Sequence, residues 1–169
     1  VNIPLLKNIM GASTTDKVIG SVQHLEYSIA DALNKITKDK QKKIAIIKGN
    51  GELHEAYIAK FLLQTKESYH IGPFTLDSVA KQPSNTLAAL KKYDLAVIAK
   101  PVEAFSDSEK QVLDQYIVNG GKTIWLIDQV VAEMDSLYSP TGSTLVFPRD
   151  LNLNDFFFKY GVRIYPDLV

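Results

Sequence analysis

YDLAVIAKPVEAFSDSEKQVLDQYIVNGGKTIWLID, residues Tyr93–Asp128, spells a strand, a helix and a second strand with the punctuation between them intact. Leu95, Ala96, Val97 and Ile98 form an unbroken apolar run, as expected of a parallel strand covered on both faces, and Ile124 to Ile127 reads the same way. Between them Ser106 and Glu109 have the spacing of a capping box, and Val112, Leu113, Tyr116 and Ile117 line one helical face. Asn119, Gly120 and Gly121 supply the left-handed stop. A unit of this kind belongs to a doubly wound α/β layer, in which ligands bind outside the carboxyl ends of the strands.

Working outward, the same alternation predicts strands at Ile44–Lys48 and Ile71–Thr75, and helices over about 53–65 and 86–92. Right-handed crossovers then favour a mostly parallel, three-layer sheet in flavodoxin-like order 2-1-3-4. A last helix over 153–160, capped by Asn152 and stopped by Gly161, leads to a strand at Val162–Ile164 that would extend one edge. Towards the amino terminus, Asp16 is placed to cap a long helix over 17–36. Its apolar residues Val18, Val22, Leu25, Ile29, Ala32 and Ile36 alternate steps of four and three, the seam of a helix that packs on its own domain or on a partner helix. The organisation expected is an arm and long helix over 1–42 beside an α/β core over 43–169, one domain overall.

Residues 129–152 form a connection far longer than the usual 4 to 6 or so, and such loops are usually functional or disordered. Leu137, Tyr138 and Val146, Phe147 flank Ser139-Pro140-Thr141-Gly142, which suits a small hairpin. The basic run Lys38–Lys43 reads as a solvated linker, with a docking patch as the alternative.

Charge and composition narrow the function. Lys plus Arg equals Asp plus Glu at 19 each, without the basic stripe of a nucleic-acid binder. Cysteine is absent, which removes thiol nucleophiles, disulfides and cysteine-based metal sites. No signal peptide or apolar run of membrane-spanning length is present. The chain starts at Val1 without a methionine and stops at Val169 just beyond an expected strand, so it reads as a piece of a longer protein, and any membrane anchor would lie outside it.

Motifs for chemistry are weak. Gly49-Asn50-Gly51-Glu52 sits where a phosphate loop belongs, but the third glycine of a dinucleotide fingerprint is replaced by His54, and no Walker lysine follows. His54-Glu55 lacks the second histidine of a zinc motif, and Ser13 lacks the preceding strand and following glycine of a nucleophile elbow. No catalytic residue, cofactor or metal is expected. A ligand or partner surface would instead draw on Asn50 and Glu52 after the first strand, Lys100 after the third and Asp128 and Gln129 after the fourth, joined by Arg149 and Asp150 if the long loop folds back.

Three longer blocks, KIAIIKGNGE at Lys43–Glu52, AFSDSEKQVLDQYIVNGGKTIWLID at Ala104–Asp128 and FPRDLNLNDFFFKYGVRI at Phe147–Ile164, with VNIPLLKNIMG at the start, resemble the gliding-motility-associated ABC transporter auxiliary proteins of the GldG type. The resemblance implies a soluble extracytoplasmic domain of a membrane-anchored accessory subunit, at the periplasmic face of the inner membrane. Its partners would be the permease, directly, and the ATPase, with an unknown transported substrate also possible; nucleic acid is not among them. The domain is also similar to class I glutamine amidotransferase-like folds, whose activity needs a cysteine that this chain does not have. Two readings follow: a non-catalytic assembly or substrate-binding module, or a small-molecule-binding or enzymatic domain using the strand ends.

Overall fold

The computed structural model describes residues 5–37, 42–79, 81–132 and 146–167. The chain divides into two compact units, residues 1–41 and 42–169.

In the first unit, helix α1 (Thr14–Gln23) is followed by α2 (Leu25–Thr37). The expected N-terminal helical stretch is present, but His24 divides it. The His24 amide donates to Ser21 O at 3.2 Å, a tightened last turn. Ser21 Oγ donates back to Lys17 O at 2.6 Å, a bond that bends helices, and Gly20 weakens the same turn. The cap is Ser13 and not Asp16: Ser13 Oγ accepts from the Asp16 amide and donates to its carboxylate. The six-residue seam is only partly covered, with Ala32 buried but Val22 and Ile36 66% and 67% exposed.

The second unit holds a four-stranded, all-parallel sheet in the order β2-β1-β3-β4, as the alternation predicts. Its strands are β1 (Lys43–Lys48), β2 (His70–Thr75), β3 (Leu95–Ala99) and β4 (Lys122–Leu126). One face carries α4 (Pro83–Leu90), α5 (Asp107–Val118) and α6 (Asn154–Lys159). There Ala45, Ile47, Ala96 and Ile98 pack with Leu90, Val112, Leu113, Tyr116, Phe156 and Phe157. On the other face Ile44, Ile46 and Val97 pack against Ile58 and Leu62, from a short 3-10 helix (Glu55–Ile58) and α3 (Ala59–Lys66).

Two strand expectations change. The fourth strand is not covered on both faces: Trp125 packs into the core, but Ile124 and Leu126 are 44% and 54% exposed. Residues 162–164 form no ladder with the sheet. Instead the Val162 amide closes the end of α6 by donating to Phe157 O at 3.0 Å, with Gly161 in the left-handed conformation (φ 74°). Asn152 does not cap α6 either; the capping position is Leu153, without a side-chain bond. The long connection contains an antiparallel pair, β5 (Val130–Ala132) with β6 (Val146–Pro148). The turn expected at Ser139–Gly142 and most of the Lys38–Lys43 run lie outside the described residues.

Candidate functional site

In the order β2-β1-β3-β4 the chain reverses direction between β1 and β3, which puts the switch-point crevice at their carboxyl ends. The loops that leave those two strands meet there and bond to one another. Asn50 O accepts from the Val102 and Glu103 amides at 2.9 and 3.0 Å, and the Leu53 amide donates to Ala99 O at 2.9 Å. The close approach depends on Gly51, which has φ 67°; a Cβ there would lie 2.5 Å from Val102 Cγ2.

Asn50 is 3% exposed. Its amide donates to Glu52 Oε2 at 2.9 Å, and its side-chain nitrogen reaches Ala104 O and Glu109 Oε2 at 3.5 and 3.4 Å. The second carboxylate oxygen of Glu52 is buried and unpaired, as is Asn50 Oδ1. Burial raises the Glu52 pKa above its ordinary value, and the amides of Glu52, Asn50 and Gly49 only partly offset this. Glu109 serves two structures at once, since Oε2 also accepts from the Ser106 amide at 2.7 Å in the capping box that opens α5.

The remaining expected residues lie along the same rim as separate pairs. Lys100, in a left-handed conformation (φ 51°), forms an ion pair with Asp128 at 3.3 Å. Both side chains are well solvated, so the pair contributes little to stability. The Arg149 amide donates to Gln129 O at 2.7 Å, continuing the β5-β6 pairing, and its guanidinium makes a long 3.5 Å contact with Pro101 O. The Asp150 carboxylate accepts from the Asn152 amide at 2.9 Å. Gln129, Arg149 and Asp150 border a cavity of about 640 Å³ shared with Phe158, Arg163 and Tyr165. Asn50, Glu52, Lys100 and Asp128 are not among its lining residues.

One polar centre was missed by the sequence reading. Lys110 is only 8% exposed, on the side of α5 that faces the core. Its ammonium meets Asp155 at 2.9 and 3.0 Å, Asp107 at 3.0 Å and Asn152 Oδ1 at 3.3 Å. Asn152 (φ 55°) also donates from Nδ2 to Phe105 O at 2.8 Å, so this centre ties α5, the loop before α6 and α6 itself together. The signal was present: Lys110 stands three and seven residues before Leu113 and Ile117, on the apolar stripe. Burial works against its charge, but the two carboxylates outweigh it and hold the lysine above its usual range. Asp155 is lowered in turn, chiefly by its bond to Lys110. His54 has a structural part as well, its Nδ1 accepting from the Ala56 amide at 3.2 Å.

Among the described residues no group of three or more His, Asp and Glu side chains is placed to hold a metal, and no helix is long and apolar enough to cross a membrane. Residues 41–169, which take in the whole sheet and its helices, match the family described as ABC-type uncharacterized transport system. The chain belongs to that family. This ABC-type transport-system member therefore has a transport-associated role, as an auxiliary component of such a system. A comparison with curated protein sequences finds no match. Among solved structures, the mmIFT52 N-terminal domain is similar at 19% identity and a TM-score of 0.44, over 52% of this chain and 36% of that one.

Proposed function

We propose that this transport-system member is the extracytoplasmic domain of a GldG-type auxiliary subunit, which works without catalysis by assembling with the membrane permease of its ABC transporter. The observation that carries this reading is the family match over residues 41–169. The crevice adds support, because the loops that leave β1 and β3 are bonded across it, Asn50 O accepting from the Val102 and Glu103 amides. An enzyme needs a reacting group held beside an open space for its substrate. At this switch point the β3 loop takes that place, through Val102 and Glu103 bonded to Asn50.

The assembly surface is assigned to α1 and α2. Val18, Ile19, Val22, Leu33 and Ile36 are all exposed there, a concentration of apolar side chains that marks interaction surfaces. With an anchor supplied by other parts of the protein, the domain would stand at the periplasmic face of the inner membrane, where the permease is within reach and the ATPase is contacted only through it. Capture of the permease from membranes that contain the cognate subunits tests this. Recovery of the permease by the chain, lost when Val22 and Ile36 are both replaced by Asp, is expected. Equal recovery by the substituted chain would remove the helices from the contact, and recovery of neither subunit would remove the assembly role from this domain.

A further inference from the structure

The two edges of the sheet are finished differently. At β2 the His70 and Leu76 amides donate to Lys42 O and Lys48 O, so even-numbered backbone groups face β1, and Ile71, Pro73 and Thr75 point outward. Pro73 has no N–H to offer, which blunts that edge against further pairing. At β4 the Lys100 amide donates to Leu126 O, so Lys122, Ile124 and Leu126 face β3, and the backbone groups of Thr123 and Trp125 point away from the sheet. Among the described residues no strand lies outside them, and β4 has neither proline nor bulge. A groove of about 470 Å³, bordered by Thr123, Trp125, Ile127, Phe156, Tyr160 and Val162, runs beside this edge on the α6 side. On the opposite face Ile124 and Leu126 are half exposed.

We infer that β4 is a self-association edge, whose partner is the β4 of a second copy of this chain, paired antiparallel about a two-fold axis at Trp125. The choice of occupant rests on the sequence of the strand, which is complementary to itself in that register. Trp125 stands opposite its own copy and Thr123 opposite Ile127, so the outward amides and carbonyls form the hydrogen-bonded pairs. Ile124 then falls opposite Leu126 as the closely spaced, non-hydrogen-bonded pair, and each half-exposed apolar side chain gains an apolar neighbour. Beyond the strand's end Asp128, paired with Lys100 within its own chain, falls opposite Lys122 of the other copy, so opposite charges meet on both sides of the axis. A slip of one residue would put Ile124 opposite Trp125 on the wrong face, so the register is set by the pleat. A strand of five residues makes a small interface, so the dimer is weak and depends on concentration.

Sedimentation equilibrium of the chain, with Ile124→Glu and Leu126→Lys variants alone and mixed, tests the edge and its register together. Both positions are already half exposed, so the fold tolerates the charges. The unsubstituted chain is expected to move from monomer toward dimer as concentration rises, and each variant alone to associate about tenfold or more weakly. The mixture is expected to regain the dimer, because the new carboxylate at 124 faces the new ammonium at 126 across the axis. A chain that stays monomeric throughout, variants that dimerise as well as the parent, or a mixture no better than either variant alone would each overturn the inference.

Discussion

Lys110 and Glu52 are two polar residues that the fold treats in opposite ways. The raised pKa of Lys110 contributes stability that is complete below its unfolded value, ordinarily 10.5, and is lost as pH rises through the folded one. The lowered pKa of Asp155 contributes above its unfolded value, ordinarily 3.8, and is lost as pH falls through the folded one. Lys110→Met is therefore expected to lower stability over the range between those limits. The loss stays modest because Asp107 and Asp155 are 92% and 65% exposed and regain water when the lysine goes. Urea midpoints measured across pH check this, and an unchanged acid limb in the variant would argue against the ion pair. Glu52 carries a raised pKa, so its contribution is complete below its unfolded value, ordinarily 4.5, and falls away as pH rises through the folded one. Glu52→Gln keeps an acceptor for the Asn50 amide and removes the buried charge. It is expected to raise the urea midpoint at neutral pH and to flatten the fall of that midpoint above pH 4.5; parallel slopes in the two proteins would refute the assignment.

Helix α5 shows what punctuation is worth. Ser106 Oγ accepts from the Glu109 amide while Glu109 accepts from the Ser106 amide, so both ends of the box are closed. Ser106→Ala is expected to cost about 1 kcal/mol in thermal or urea unfolding, and a cost near zero would mean that Glu109 holds the helix start alone. The box and the β3 strand were legible because each is written in neighbouring residues, and the strand order because the alternation of strands and helices with right-handed crossovers leaves few arrangements. What was not legible depends on distant ones. The apolar run at Ile124 to Ile127 looked like a covered strand, yet whether a helix lies over Ile124 and Leu126 is decided elsewhere in the chain. Asn152 looked like a cap, but its side chain is drawn to Phe105 O and Lys110 instead. The break at His24 comes from hydrogen bonds of Ser21 that periodicity does not register. For the candidate site, the sequence brought forward the strand-end residues. That Asn50 would be closed over by Val102 and Glu103 depends on a contact across some fifty positions of sequence.

As a whole, the chain divides into an α/β unit, in which the loops leaving β1 and β3 are bonded to one another, and a helical unit that leaves apolar side chains in solvent. The family match supports a transport-associated role, and contact of the exposed helices with the permease is the proposal to test. The most direct test is a binding titration of the purified chain against its cognate permease, reconstituted alone in lipid nanodiscs, with the ATPase as a parallel titrant. Saturable binding to the permease, absent for the ATPase and abolished by the paired Val22→Asp and Ile36→Asp substitutions, is the result expected. No binding to the permease, or binding that survives both substitutions, would contradict the proposed assembly surface.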